Sequence, residues 1–452
     1  MTTTPANKNY KVGISNRQIL RIALPISFAI LVPQINFITN NIFLGRLDEQ
    51  SLATAGITGV YYLLFAAIGN GINNGLQALI ARRAGEDRVP EIGRLFSQGV
   101  YLAVGLSLIG ILVTYLVAPM VLKLSLKEEA VRQQAVAFLK IRIWGLPFLY
   151  VYQMRNALLV GTNQSKFLIY GTLAETTVNI ALDYGLIYGH FGLPMLGFNG
   201  AAIASILAEA AGVIVVFGVI NAKGIHKQLH LYSHLRFDPK ISRLIMTQSA
   251  PIIFQYAISI VSWIFFYILV EHHGRQDLAI SNTIRNIFGL FGVFTWAFAS
   301  TTNAMVSNVI GQGKKDRVIL LINKIVRLSV CFSAVVAILL NVFPRSFLAI
   351  YGQDESFTLA ALPVVRIVST ALILMSFSTI WLNAVTGTGN TRVALQIEAI
   401  TIVFYVLYVY LVLERWNLSL LVGWMSEWVY WTSTFAFSYW YIHSGKWKDK
   451  EI

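Results

Sequence analysis

Four stretches of the chain run for the thickness of a bilayer without one Asp, Glu, Lys or Arg: Ile22 to Gly45, Gly99 to Leu122, Met246 to Val270 and Ile367 to Thr391. A helix needs about 20 mostly apolar residues to cross the hydrocarbon core, and inside it must satisfy its own backbone hydrogen bonds. Other stretches carry a single acid, as Asn199 to Ala222 does with Glu209. Taken together the runs predict twelve spans, near 18–44, 52–81, 95–121, 134–160, 165–189, 197–222, 241–270, 278–310, 318–344, 358–386, 391–414 and 420–444. A charged fraction of only 12% and a mean hydropathy of +0.63 exclude an ordinary soluble domain, where roughly a quarter of residues carry charge. Strands alternating apolar and polar residues are missing, which disfavours an outer-membrane barrel. The single cysteine, Cys331, excludes a disulfide framework or a cysteine metal cluster. The polar start, Met1 to Arg17, leads into a span too long to be a removed signal peptide.

The net charge of +14 points to lipid headgroups and a cytoplasmic face, not to nucleic acid, given so apolar a body. In the twelve-span arrangement the basic clusters fall on one side. They are Lys8, Lys11, Arg17 and Arg21; Arg82, Arg83, Arg88 and Arg94; Lys223, Lys227, Arg236, Lys240 and Arg243; Lys314, Lys315 and Arg317; and Lys446, Lys448 and Lys450. The opposite loops hold fewer, among them Arg46, Lys123, Lys127, Arg132, Arg275, Arg345 and Arg415. Both termini are therefore expected in the cytoplasm.

The chain also repeats itself. Pro25 matches Pro251, a shift of 226 positions, and the same shift relates Leu52-Ala53 to Leu278-Ala279, Gly85 to Gly311 and Lys140 to Arg366. It also relates Gly161-Thr162 to Gly387-Thr388 and Gly197 to Gly423. Six spans per repeat put both halves the same way up, a construction common among carriers. The expected domains are an N-lobe over 1–222, a basic cytoplasmic linker over 223–240 and a C-lobe over 241–452. His226, His230 and His234 in the linker have a spacing that a metal could use, but histidines in a polar linker are more often solvated. No HExxH, GxSxG or Walker loop is present, which argues against an enzyme or an ATP-driven pump.

Charge at mid-bilayer costs on the order of 2.5–3.5 kcal/mol, so each intramembrane polar residue needs a reason. Glu175, Asn179 and Asp183 sit four residues apart and cover about 80° of one helix face. Such a stripe faces a cavity or a partner helix. One reading is a cation-coupling site. A buried carboxyl holds a proton more readily than a solvated one, and an organic cation would compete for the same negative charge. The other reading is a structural pair with Lys140 or Arg142. Asn36, Asn40 and Asn41 line the first span, which Pro25 should kink; they either serve the site or bond across helices. Ser205 and Glu209 share a face of the sixth span, where the small residues Gly200, Ala201, Ala204 and Ser205 suit close helix packing; donation from Ser205 to Asp183 is the second reading. In the second half Gln255, Arg285, Glu398 and Glu427 form either a substrate or gating site or an internal ion pair, the pair being favoured. Trp263, Trp296, Trp381 and Tyr405 are candidate cation–π partners, or interfacial anchors.

A family resemblance runs along these same residues. Ala23-Leu24-Pro25 through Asn40 to Phe43-Leu44-Gly45-Arg46-Leu47, then Leu52-Ala53, resembles the opening of multidrug and toxic compound extrusion (MATE) transporters. Asn179 to Tyr188 and Leu196 to Ser205 look like that family's fifth and sixth spans, and Gly311-Gln312-Gly313 with Gly387 to Arg392 like its C-lobe loops. The resemblance covers nearly the whole chain. It implies an all-α membrane protein with twelve transmembrane helices in two six-helix lobes, the MATE or MOP-superfamily fold. It also implies a secondary antiporter that exports organic, cationic or amphipathic compounds for protons or sodium. With Gln255 in span seven and no acid in span ten, the sequence is more similar to the DinF-like branch, whose coupling is attributed to the N-lobe. That carries the coupling role to Asp183, Asn179, Asn40, Glu175 and Ser205, with a possible sodium near Asp183. Asn36, Pro25, Gln255, Arg285 and Glu398 are left for the cleft or gate. One departure stands out: the family's first-span aspartate aligns with Asn40, which cannot carry a proton. The expected setting is a multi-pass monomer in a bacterial inner membrane, with lipids and a small organic substrate as partners and no cofactor beyond the coupling ion. The alternatives are a lipid-linked oligosaccharide flippase of the same superfamily, which needs a cationic cleft, and a non-transporting scaffold or receptor.

Overall fold

The computed structural model describes residues 10–126, 128–233, 235–349 and 355–452; Lys8, Lys127 and His234 lie outside them, as do the side chains of Leu52 and Ala53. Every regular element among the described residues is helical. The long helices are α1 (Asn16–Leu47), α2 (Glu49–Gly85), α3 (Val89–Ser125), α4 (Glu129–Gly161), α5 (Leu168–Tyr188) and α6 (Phe198–Ala222). They continue as α7 (Pro239–His272), α8 (Arg275–Gly311), α9 (Val318–Val342), α10 (Glu355–Gly387), α11 (Thr391–Val409) and α12 (Ser426–His443). Each overlaps one expected span.

Nine of the described helices are long and apolar enough to cross a membrane; α5, α8 and α12 fall short. The shortfall has a chemical cause. α5 carries the Glu175-Asn179-Asp183 row, α8 the Asn282-Arg285-Asn286 group, and α12 a high content of Ser, Thr, Tyr and Trp beside Glu427. A span flanked by other helices can trade apolar residues for polar ones, because protein and not lipid covers that face.

Local chemistry sets several ends. Asp48 caps α2 by accepting from the Ser51 amide at 2.6 Å and the Ser51 hydroxyl at 2.8 Å. Arg82 and Arg83 close the same helix, where cations suit the negative end of the dipole. α5 stops at Gly189, whose φ of +77° an L side chain rarely adopts. α4 is broken by a 3-10 turn, Ile143–Gly145, ahead of Pro147, which has no amide hydrogen to continue the ladder.

The described chain forms two compact units. The first comprises Tyr10 and Phe28–Ser249, the second Lys11–Ser27 and Ala250–Ile452. Two of the three changes of unit, after Ser27 and after Ser249, lie within two residues of a repeat-related proline, Pro25 or Pro251. The segment 223–240, expected as a linker, packs on the first unit: Gln98 donates to the Arg236 carbonyl at 2.9 Å, Ser97 to that of Leu231 at 3.2 Å, and Tyr101 to that of Leu235. Within the first unit α5 packs most extensively on α6, and α2 on α4. Within the second, α10 is central, touching α8, α9 and α12. Lipid is as apolar as leucine, so these contacts rest on close van der Waals fit and hydrogen bonds more than on burial from water. The second core gathers Phe266, Ile284, Val368, Leu372, Val409 and Trp424.

Candidate functional site

The expected polar row exists on α5. Asp183 has no exposed surface and Asn179 is buried, while Glu175, two turns earlier, is half-buried. Asn36 on α1 donates its side-chain amide to the Asn179 carbonyl oxygen. Further along both helices the Tyr188 hydroxyl donates to the Phe43 carbonyl at 2.6 Å. The two ties show α1 and α5 running in the same direction, and they bracket Asn40 on one helix and Asp183 on the other. Between the ties, Asn36 Oδ1, Asn40 Oδ1, Asn179 Nδ2 and both carboxylate oxygens of Asp183 are buried without a hydrogen-bond partner. Nine in ten buried polar groups are satisfied, so five unsatisfied atoms in one place mark a spot built for something other than packing. Four of the five are oxygens, the donor type a proton or a hard cation prefers.

The expected structural pairing takes a different form. Arg142 holds Glu209 with two bonds, at 2.5 and 3.0 Å, and stacks over the Tyr62 ring at 4.0 Å. It makes no hydrogen bond to Asp183. A β-carbon at Gly145 would strike both Arg142 and Glu209, so the glycine in the 3-10 turn makes room for the pair. Lys140 lies instead near the Tyr115 ring, 5.7 Å from its centroid. Ser205 is half-buried and gives no bond to Asp183, whose oxygens are both free.

One residue escaped the sequence reading. Arg155 on α4 is 1% exposed and stacks on Tyr152 at 3.6 Å. It donates one nitrogen to Asn156, and its Nε and Nη1 find no acceptor. Its tip reaches Gly171 on α5, where a β-carbon would lie 2.5 Å from Nη1, one turn before Glu175. The clue was available: an intramembrane arginine carries the same cost as an intramembrane acid.

In the second unit no Arg285 ion pair is made with Glu398 or Glu427, contrary to the favoured reading. Glu398 is held by neutral donors: the Ser259 hydroxyl at 2.6 Å, the Tyr430 hydroxyl, and Gln255 Nε2 at 3.5 Å. Glu427 accepts from Trp431 Nε1 at 2.9 Å. Arg285 sits by the rings of Trp263 and Tyr267, 5.8 and 5.5 Å from their centroids. Gln255 and Glu398 are thus brought together and Arg285 is not. Tyr405 and Trp381 are buried and face no lipid. Pro25 lies half-buried within α1, eleven residues before Asn36. Among the described residues no cluster of three or more His, Cys, Asp or Glu could hold a metal ion.

Comparison with known proteins recovers the same repeat. The family model described as MatE matches residues 25–185 and again residues 251–411, two blocks whose starts and ends both differ by 226. The chain belongs to the MatE family. The MatE match places it among multi-pass membrane transporters and not among enzymes. A probable multidrug resistance protein NorM of Synechocystis sp. is 23% identical over 88% of this chain and 87% of its own length. A probable NorM of Thermotoga maritima is 23% identical over 98% and 97%. Among solved structures, an outward-facing multidrug resistance MATE transporter of the MOP superfamily matches with a TM-score of 0.90 at 15% identity, over the whole of both chains. A MOP-superfamily transporter from Pyrococcus furiosus, described as having a binding pocket of reversed polarity, matches with 0.89, also at 15% and over both whole chains. At such identities the likeness shows the MatE fold alone.

Proposed function

We propose that this transporter is a secondary antiporter, and that Asp183 carries its coupling cation while organic cations or amphipaths leave in exchange. The observation behind the reading is the state of Asp183: a carboxylate with no exposed surface and no hydrogen bond on either oxygen, among three unsatisfied asparagine atoms. Inside a membrane such a group must be protonated or matched by a cation, and losing either makes the site unstable as it stands. That instability is a physical basis for coupling. Occupancy by ion or by cationic substrate would satisfy the same charge, and only one can do so at a time. Asn40 supplies an oxygen but no proton, so a single carboxylate titrates between α1 and α5. The coupling ion is a proton or sodium, with no other cofactor. The concentration of lysine and arginine on one set of loops supports cytoplasmic termini in a bacterial inner membrane.

The test is dye efflux in everted vesicles under separately imposed proton and sodium gradients. Asp183→Asn is expected to abolish gradient-driven efflux while leaving the protein folded. Undiminished efflux in that variant under both gradients defeats the assignment. A flippase would instead need a cationic cleft, and the charged residues of the α5 row are acids.

A further inference from the structure

Between α3 and α4 of the first unit lies an open groove of about 480 Å³ that the transport reading does not use. Its walls are Pro119 and Lys123 of α3 and Arg132, Val136, Ala137 and Lys140 of α4. We propose that this groove holds the phosphate headgroup of an anionic phospholipid. Three observations converge. First, its charge is one-sided. Glu129 engages Arg132 and also accepts from Gln133 at 2.8 Å, so its charge is spent, and neither lysine has an acidic partner among the described residues. Second, the mouth of the groove, at Lys123 and Arg132, sits at headgroup depth. Lys123 ends the candidate span Val89–Leu124, and Arg132 lies in the first turn of Glu129–Gly161. Lys140 is two turns, about 12 Å, deeper on α4, where Tyr115 donates to the Lys140 carbonyl at 3.1 Å and accepts from Trp144 at 3.1 Å. Third, the neighbouring face of α3 offers a track for acyl chains: Leu112, Leu116, Met120 and Leu124 repeat every four residues and are 60–82% exposed. A soluble anion would need the cations but not the track. A lysine near the membrane surface attracts an anionic headgroup by about 1 kcal/mol.

The full-length protein in detergent, titrated with phosphatidylglycerol and separately with phosphatidylcholine, reports bound lipid by native mass spectrometry. One phosphatidylglycerol should be retained in preference to phosphatidylcholine. Lys123→Gln with Lys140→Gln should weaken it by roughly 30-fold, and Lys123→Arg with Lys140→Arg should keep it. Lys314→Gln with Lys315→Gln, in a different basic loop, should leave it unchanged. Equal retention of the two lipids, or undiminished binding in the glutamine variant, overturns the proposal. Displacement of the lipid by tail-free glycerol 3-phosphate at matching concentration also overturns it, making the groove a site for soluble anions. Should the glutamine variant fail to fold, the arginine variant and the two-lipid comparison still decide.

Discussion

Asp183 and Glu209 are both buried acids of the first unit, yet their surroundings assign them opposite tasks. Glu209 is matched by Arg142 in a two-bonded pair that a glycine makes room for. Removing one member leaves the other charged and buried, so Arg142→Met should cost about 3–5 kcal/mol of stability. The paired change Arg142→Met with Glu209→Leu should recover most of that loss. Unfolding in detergent micelles measures both; equal losses in the single and paired variants would show that the two side chains do not compensate each other. Asp183→Asn, by contrast, removes an unmatched charge and should leave stability unchanged or raised while transport is lost. The four-residue period of Glu175, Asn179 and Asp183 was legible in the sequence because helical geometry alone puts such residues on one face. The partner of Arg142 was not. Glu209 lies 67 positions away, and which of three acids an arginine reaches is fixed by how α4 packs on α5 and α6. Arg155 was missed for a related reason: its neighbours Tyr152 and Gly171 are ordinary residues until they are placed around it.

At the level of the helices, the polarity of a span reports its neighbours. Length and hydropathy mark nine helices, and the three left out are richer in polar and hydroxyl-bearing residues: the Glu175-Asn179-Asp183 row in α5, Asn282, Arg285 and Asn286 in α8, and Ser, Thr, Tyr and Trp throughout α12. Twelve spans were still readable from the apolar runs, because one or two polar residues do not interrupt a stretch long enough to cross. Close approach of α5 and α6 depends on Gly171 and Gly212, where a β-carbon on Gly212 would lie 3.3 Å from the Gly171 carbonyl oxygen. Gly171→Leu should therefore wedge the pair apart, displace Arg155 and cost roughly 1–3 kcal/mol, with loss of efflux. Gly218→Leu, on the same α6 but with open space around it, should be silent in both assays. If the two variants behave alike in thermal unfolding, the fit between these helices is not what the glycines serve.

Across the whole molecule, the repeat was plain in the sequence but the membership of each unit was not. The halves were expected to divide at a linker over 223–240, whereas the first unit extends to Ser249 and the second takes in Lys11–Ser27. The reason lies in contacts that composition cannot show. Asn308 accepts from the Val12 amide at 3.1 Å, Gln312 donates to the Val12 carbonyl at 2.9 Å, Lys324 donates to that of Ile14 at 3.1 Å, and Ile19 and Ile22 are fully buried. Deleting residues 11–27 should accordingly weaken hydrogen-exchange protection in α8 and α9 before it does so in α2 and α4. Protection lost first from the latter pair would contradict the assignment. A longer consequence follows from this exchange of leading segments. Each half of the gene, translated by itself, encodes an incomplete body that lacks its own opening stretch and carries its neighbour's. Neither half-chain could then close its own packing alone, so the two need to be joined, or made together, for either to be whole.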